Sequence, residues 1–185
     1  IYLSTSSVAS AVTIEAGEGT DYVSIGGKSI TQSKVILGVG EDTLLIAAGS
    51  GSITIDGTGG DAKYISMSGA FGSSSIGTGD GDDTIYISDS KSTGISIDAG
   101  AGDNYVNIDV KNYTGNTFTA GDGNDTIIFA AGSSSITVNA GEGDDYISLA
   151  GGVYGSSSIV AGDGSDSIYL STSSVASAVT IEAGE

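Results

Sequence analysis

A glycine-rich acidic motif recurs along the whole chain at intervals of 19 to 22 residues. Its clearest copies are AGEGTDYVSI from Ala16, TGDGDDTIYI from Thr78, AGDGNDTIIF from Ala120, AGEGDDYISL from Ala140 and AGDGSDSIYL from Ala161. Weaker copies begin at Leu37 and Ala99, and a distorted copy, DGTGGDAKYISM, begins at Asp56. Such a period is typical of stacked repeats, in which each repeat buries its apolar face only against its neighbours.

Two longer repeats are superimposed on this period. The segment DTLLIAAGSGSITI from Asp42 matches DTIIFAAGSSSITV from Asp125, an offset of 83 residues. Residues 1–18 recur letter for letter at 168–185, an offset of 167 residues. We therefore interpret 1–185 as a single continuous solenoid, made of a 167-residue unit of eight coils and an 18-residue overlap. The unit is expected to recur in tandem in a longer protein.

Apolar and small polar residues alternate between the motifs. Ile85 and Ile87 follow one motif, and Ile136 and Val138 precede another. Alternation with a period of two predicts half-buried strands, and no segment has the 3.6-residue apolar stripe of a helix. The predicted fold is all-β, a parallel β-solenoid of about eight coils of 19–22 residues with two strands per coil. A β-sandwich has a similar number of strands, but it does not require one motif in every coil.

Each coil is expected to turn at the acidic loop and again at a Ser/Gly-rich segment. Phe71, Tyr113 and Tyr154 occupy equivalent places in the Ser/Gly turns of alternate coils. An aromatic residue at this place either packs over the turn or contacts a neighbouring molecule, for which a glycan is a candidate.

Each acidic loop ends in a residue that could bind a metal ion at the start of the next strand. These candidate ligands are Asp21, Asp42, Asp61, Asp83, Asn104, Asp125, Asp145 and Asp166. Main-chain oxygens around the paired loop glycines are expected to complete the sites, namely Gly17, Gly19, Gly38, Gly40, Gly79, Gly81, Gly100, Gly102, Gly121, Gly123, Gly141, Gly143, Gly162 and Gly164. In the distorted copy Lys63 follows closely on Asp61, and Ala62 is an alternative occupant of the Asp place.

Electrostatics favours a cation in these loops. The net charge is −18, and carboxylates stacked about 4.8 Å apart repel by roughly 1 kcal/mol per neighbour even in water. Ca²⁺ takes six to eight oxygen ligands at about 2.3–2.6 Å, and glycine lets the backbone turn its carbonyls inward. We predict one row of Ca²⁺ along the acidic edge and none along the Ser/Gly edge. The alternative is that the Asp residues are ordinary turn residues facing solvent.

The motif G-x-G-x-D, followed by one residue and then Ile, Val or Leu, resembles the RTX, or haemolysin-type, calcium-binding repeat. AGDGNDTI at 120–127 and AGDGSDSI at 161–168 match its nonapeptide except that Ala replaces the first Gly. The resemblance implies that calcium lies between the loops of neighbouring coils, bound by main-chain oxygens and Asp side chains. RTX rolls have such a loop at both turns, whereas this chain has it at one, an arrangement similar to repeat regions of large bacterial adhesins and surface-layer proteins.

The composition argues against several other functions. A net charge of −18 disfavours binding to nucleic acid or to an anionic membrane, and no apolar run reaches the roughly 18 residues of a membrane span. His, Cys and Arg are absent, so an enzyme is not expected. We expect an extracellular, calcium-stabilised repeat rod of a bacterial filament or surface layer, associating end to end and laterally. The alternative is an adhesin stalk or secretion module attached to a separate functional domain.

Overall fold

The computed structural model describes residues 1–89, 92–110, 113–130, 134–151, 155–171 and 178–184. These residues include no helix that is long and apolar enough to cross a membrane. Within the described ranges the chain forms nineteen strands: β1 (Tyr2–Ser10), β2 (Thr13–Glu18), β3 (Tyr22–Thr31), β4 (Ser33–Val39), β5 (Asp42–Ser50), β6 (Ile53–Asp56), β7 (Lys63–Ser68), β8 (Ser75–Gly77), β9 (Thr84–Asp89), β10 (Ser92–Thr93), β11 (Ser96–Asp98), β12 (Tyr105–Val110), β13 (Tyr113–Asp122), β14 (Thr126–Phe129), β15 (Ser134–Glu142), β16 (Tyr146–Ala150), β17 (Ser158–Asp163), β18 (Ser167–Ser171) and β19 (Thr180–Glu182).

The strands stack into two parallel sheets, and the chain passes between the sheets once in each half-coil. One sheet has the order β1-β3-β5-β7-β9-β12-β14-β16-β18. The other has the order β2-β4-β6-β8-β11-β13-β15-β17-β19, with the short β10 paired to β13. Pairing joins residues one coil apart, as between Val23 and Leu44 and between Leu44 and Ile65. The predicted all-β parallel solenoid of about eight coils, with two strands per coil, is therefore confirmed.

Like residues stack on like residues in the core between the two sheets. One sheet contributes the column Val23, Leu44, Ile65, Ile85, Val106, Ile127 and Ile147, and the other contributes Val35, Ile55, Ile76, Ile97, Phe118, Val138 and Ile159. All of these side chains are buried. Phe118 and Phe129 come from different sheets and meet edge-on across the core, with ring centroids 4.9 Å apart. Burial of each such side chain contributes roughly 1.5–3 kcal/mol relative to exposure.

The Ser/Gly edge alternates between apolar and polar residues from one coil to the next. Backbone N–H groups of the apolar residues donate to the buried polar residue one coil later, at 3.2 Å for Val12 to Ser33 Oγ, 3.2 Å for Ile53 to Ser74 Oγ, 2.7 Å for Ile95 to Asn116 Oδ1 and 3.2 Å for Ile136 to Ser157 Oγ. The structural repeat along this edge is therefore two coils long. Phe71 is buried in the core, whereas the side chain of Tyr113 and all of Tyr154 lie outside the described residues.

Close stacking of the acidic loops requires glycine. At Gly121 φ is +104°, and a Cβ atom would collide with the carbonyl oxygen of Gly100 in the preceding coil. Gly60, in an interior loop of the same edge, also has a positive φ, +75°, but a Cβ there would meet nothing within 4 Å. The two positions therefore share the cost of a left-handed backbone and differ in the cost of forcing two coils apart.

We expect Gly121→Ala to destabilise the chain by about 3 kcal/mol or more beyond the effect of Gly60→Ala. Both substitutions place a Cβ at positive φ, at about 1–2 kcal/mol, but only the first places it against a rigid backbone. Urea unfolding of the two variants, followed by circular dichroism, measures the difference. Equal destabilisation would contradict the close approach of the two loops.

Candidate metal-binding edge

The acidic loops place one side chain per coil in a continuous column, which we call the inner column. Its members are Asp21, Asp42, Lys63, Asp83, Asn104, Asp125, Asp145 and Asp166. The six central members are at most 2% exposed, although each immediately follows a surface loop. Ionisable side chains are rarely buried to this extent unless they are paired.

One oxygen of five of the six column carboxylates, all but that of Asp21, links two coils. The backbone N–H of a column residue donates to Oδ1 of the column residue one coil later, as from Asp125 to Asp145 at 2.8 Å and from Asp145 to Asp166 at 2.9 Å. These N–H groups lie just before a strand begins, where the sheet offers no backbone acceptor. The carboxylates therefore provide the hydrogen-bond acceptors.

The second oxygen of every column Asp is buried and accepts no hydrogen bond. This oxygen is Oδ2 of Asp21, Asp42, Asp83, Asp125, Asp145 and Asp166. A buried carboxylate oxygen without a partner loses its hydration with no compensation, which is costly in free energy. Asp42 Oδ2 has the Lys63 ammonium 3.7 Å away, and the same deficit in the other five coils indicates a shared binding partner, either a proton or a cation.

Asn104 reveals the surroundings of that second oxygen. Its Oδ1 accepts the N–H of Asp83 at 3.0 Å, which fixes the orientation of the amide. Its Nδ2 therefore takes the place of Oδ2, and it donates to the carbonyl oxygens of Gly102 at 2.9 Å, Ala120 at 3.3 Å and Gly100 at 3.4 Å. The space beside this column position is thus lined by carbonyl oxygens, which repel a carboxylate oxygen and attract positive charge.

Lys63 occupies the column position in the distorted coil. It pairs in register with Asp42, and its N–H donates to Asp83 Oδ1 at 2.6 Å. Asp61 lies two residues earlier in the chain, so the column position predicted for Asp61 is occupied by Lys63. Ala62, the alternative occupant, is also outside the column.

The loop before Lys63 explains why the spacing of the motifs pointed to Asp61. Gly59 stacks on Gly38, since a Cβ at Gly59 would collide with the carbonyl oxygen of Gly38. Gly57, which the spacing of the motifs indicated as the first loop glycine, instead accepts the N–H of Gly59 within the loop at 2.7 Å. Counting four residues from Gly59 leads to Lys63, just as counting four residues from Gly38 leads to Asp42.

The Lys63 ammonium group lies between the loops of two neighbouring coils. Nζ donates to the carbonyl oxygens of Gly40 at 2.7 Å and Asp61 at 2.8 Å, and it is 3.7 Å from Asp42 Oδ2. Both side chains of this ion pair are completely buried. A site bounded by a column carboxylate and by carbonyls of two coils therefore accommodates a full positive charge.

A second polar row, which we call the outer row, lies one residue before the inner column and is exposed. Its members are Asp82, Asp103, Asn124, Asp144 and Ser165. The backbone N–H of each of the last four donates to the side chain one coil earlier at 2.7–2.9 Å. This direction is opposite to that in the inner column. Sequence analysis missed the outer row, although a polar residue at one loop position in consecutive coils was its signal.

Burial raises the pKa of several column carboxyls. It raises the pKa of Asp125 to about 7 and that of Asp83 to about 6. For Asp125 the charge of Asp145 adds to the rise, and hydrogen bonding to Asn104 opposes it. The pKa values of Asp145 and Asp42 are also raised, again chiefly by burial.

The predicted loop glycines form two stacked rows beside the column, two and four residues before it. Within the described part of the chain, no three Asp, Glu, His or Cys side chains meet at one point. A cation beside the column would therefore be bound by one or two carboxylates and several main-chain oxygens. The carbonyls of Gly100 and Gly102, which Asn104 contacts, belong to these two rows.

Comparison with known proteins identified no similar protein. No protein-family model matches the chain, no curated protein is significantly similar to it, and no solved structure matches it. A functional assignment therefore depends on the geometry of the inner column.

We expect the calcium-stripped chain to be more stable near pH 5 than near pH 8. The folded-state pKa of Asp125, about 7, exceeds the value of roughly 3.9 for an unfolded Asp, so the folded state binds this proton more tightly. The resulting stability is complete below the unfolded pKa and is lost as the pH rises through about 7, at about 1.4 kcal/mol per unit of pKa difference.

Urea unfolding of metal-stripped protein across this pH range measures the effect. Asp125→Asn removes one titrating group and should make the profile flatter. A wild-type profile that is level or rises with pH would contradict the assignment.

Proposed function

We propose that this chain is a structural repeat rod whose coils are held together by calcium bound along the inner column. The main support is the set of six buried Asp Oδ2 atoms that accept no hydrogen bond. The contacts of Asn104 Nδ2 add that the neighbouring groups are carbonyl oxygens. Carboxylate and carbonyl oxygens together are the ligands that a hard cation requires.

The ligands of each ion follow from the contacts of Asn104. In the equivalent place, Asp125 Oδ2 would be joined by carbonyl oxygens of Gly121 and Gly123 from its own loop, and by a carbonyl of the next coil. Ca²⁺ accepts such mixed and irregular oxygen shells, whereas Mg²⁺ demands near-octahedral geometry at about 2.0–2.1 Å. The ion would supply the positive charge that the buried carboxylates lack.

Calcium binding at these sites would couple folding to location. The column carboxylates are unfavourable in the folded state at neutral pH unless they bind protons or cations, so metal binding would contribute directly to the free energy of folding. A chain exported through a calcium-poor compartment would remain weakly folded and become rigid in a calcium-rich extracellular medium.

A rod of this kind suits a bacterial extracellular filament or surface layer. The ladder of backbone hydrogen bonds runs through every coil, and residues 168–171 repeat residues 1–4, so one unit can continue the pairing of another. The net charge of −18 opposes lateral packing of bare rods, which favours a second candidate, an isolated adhesin stalk or secretion module.

We expect calcium to raise the melting temperature and the β-sheet signal of the metal-stripped chain cooperatively, with magnesium far less effective. Asp145→Asn should reduce the bound calcium by about one ion per chain, because it replaces a column carboxylate. Asp144→Asn is the matched control: it makes the same charge change in the outer row and should leave the calcium content unchanged. Circular dichroism and elemental analysis after dialysis measure these quantities.

The opposite result would also be informative. A melting temperature that calcium does not change would remove calcium from the function and leave the solenoid as an ordinary rod with Asp-capped turns. Equal loss of calcium in the two variants would place the ions in the exposed loops instead of the inner column.

The two structural roles differ in assembly. If the chain forms filaments or layers, electron microscopy of the calcium-loaded protein should show rods joined end to end in ordered arrays. Rods that remain separate at every protein concentration would contradict the filament and favour the stalk.

A further inference from the structure

We propose that Lys63 is a built-in replacement for one calcium ion, so that the calcium row is interrupted between the coils of Asp42 and Lys63. This inference rests on the proposed calcium row and specifies which part of the row takes no metal. The sequence alone does not indicate this role, because Lys63 follows two residues after Asp61, the ligand expected for this coil.

The contacts of the Lys63 ammonium are those expected of a bound cation. Its oxygen neighbours are Gly40 O at 2.7 Å, Asp61 O at 2.8 Å and Asp42 Oδ2 at 3.7 Å. Gly40 and Asp61 both stand two residues before the column in their coils, which is the position of Gly102 relative to Asn104. The ammonium group therefore joins the loops of two coils through carbonyls equivalent to those proposed to bind calcium elsewhere.

A comparison with Lys34 shows that this burial is a property of the site. Lys34 also pairs with a carboxylate, Asp56, at 3.1 Å, but its side chain is 43% exposed. The Lys63 side chain has no exposure, although lysine has a long flexible stem that normally carries its charge to water. A buried ammonium is stable only where oxygen ligands replace its hydration, and three oxygens surround this one.

At Asn104 the column position needs no cation, for a reason that differs from that at Lys63. Its amide donates to the carbonyls of Gly100, Gly102 and Ala120 without adding charge. Asp83 lies one coil from Lys63 and one coil from Asn104. Its proposed calcium site therefore has no calcium-binding column residue on either side. The longest uninterrupted run of column carboxylates is Asp125, Asp145 and Asp166, where calcium dependence should be concentrated.

The direct test is Lys63→Asp in the full 185-residue chain, which restores the residue type of the other coils. After dialysis against millimolar calcium, the variant should contain at least one more calcium ion per chain than the wild type, at the Asp42 site that the ammonium vacates, and a second at the site of the new column carboxylate. Asn104→Asp, a nearly isosteric change, should also add one ion. A calcium content equal to that of the wild type in Lys63→Asp would overturn the inference while leaving the calcium row itself intact.

A second variant covers the case in which Lys63→Asp does not fold. Lys63→Met keeps the apolar stem and removes the charge, so it leaves Asp42 buried without a counter-charge. Its melting temperature in calcium-free buffer should fall by about 10 °C, whereas Lys34→Met should change it by no more than about 2 °C. A fall for Lys63→Met no larger than that for Lys34→Met would overturn the inference.

The outcomes also separate this inference from the proposed function. If the wild type binds no calcium, the calcium row and the replacement by Lys63 are both wrong, and a destabilised Lys63→Met would indicate an ordinary buried ion pair. If the wild type binds calcium and Lys63→Asp binds no more, only the role of Lys63 is wrong.

Discussion

The structure depends on one distance, the spacing of about 4.8 Å that parallel backbone hydrogen bonds impose between neighbouring coils. At this spacing every side chain lies against its equivalent in the next coil. Each position of the repeat therefore has to hold a residue type that can pack against copies of itself. Apolar residues such as Ile65 and Ile85 gain from this stacking. Gly121 is required by it, because the carbonyl of Gly100 occupies the place of a Cβ. Side chains of like charge, which in this chain are mainly carboxylates, are penalised by stacking because they repel one another.

The inner column shows how the chain meets that penalty. Every column carboxylate after Asp21 uses Oδ1 to accept a backbone N–H from the preceding coil, which satisfies one of its two oxygens. The space beside Oδ2, lined by carbonyls, attracts positive charge. An amide fills it at Asn104 and an ammonium at Lys63, and protons or calcium are the remaining choices at the Asp positions. Competition between these two explains why both calcium and pH are expected to control stability.

The sequence was sufficient to predict the fold, because strand alternation and a fixed repeat length have one simple stacked solution. It also located seven of the eight column positions, since Asp or Asn follows a loop glycine at constant spacing. It failed at Lys63 because the loop from Gly57 to Asp61 contains several glycines, and only stacking identifies Gly59 as the equivalent of Gly38. The two-coil repeat of the Ser/Gly edge was missed because its alternation between Ser33 and Ile53 depends on register.

The order of charges along the column has a consequence for its titration. From Asp21 to Asp166 the formal charges are two negative, one positive, one negative, one neutral and three negative. Asp83 lies between Lys63 and Asn104 and has no carboxylate one coil away in the column, whereas Asp125 has Asp145. Burial is the main cause of both pKa rises. The charge of Asp145 adds to the rise at Asp125, whereas hydrogen bonding and the charge of Lys63 oppose the rise at Asp83. Lys63 and Asn104 thus divide the column into short runs, and the repulsion between column carboxylates is greatest in the last three coils, where the proposed calcium would offset it.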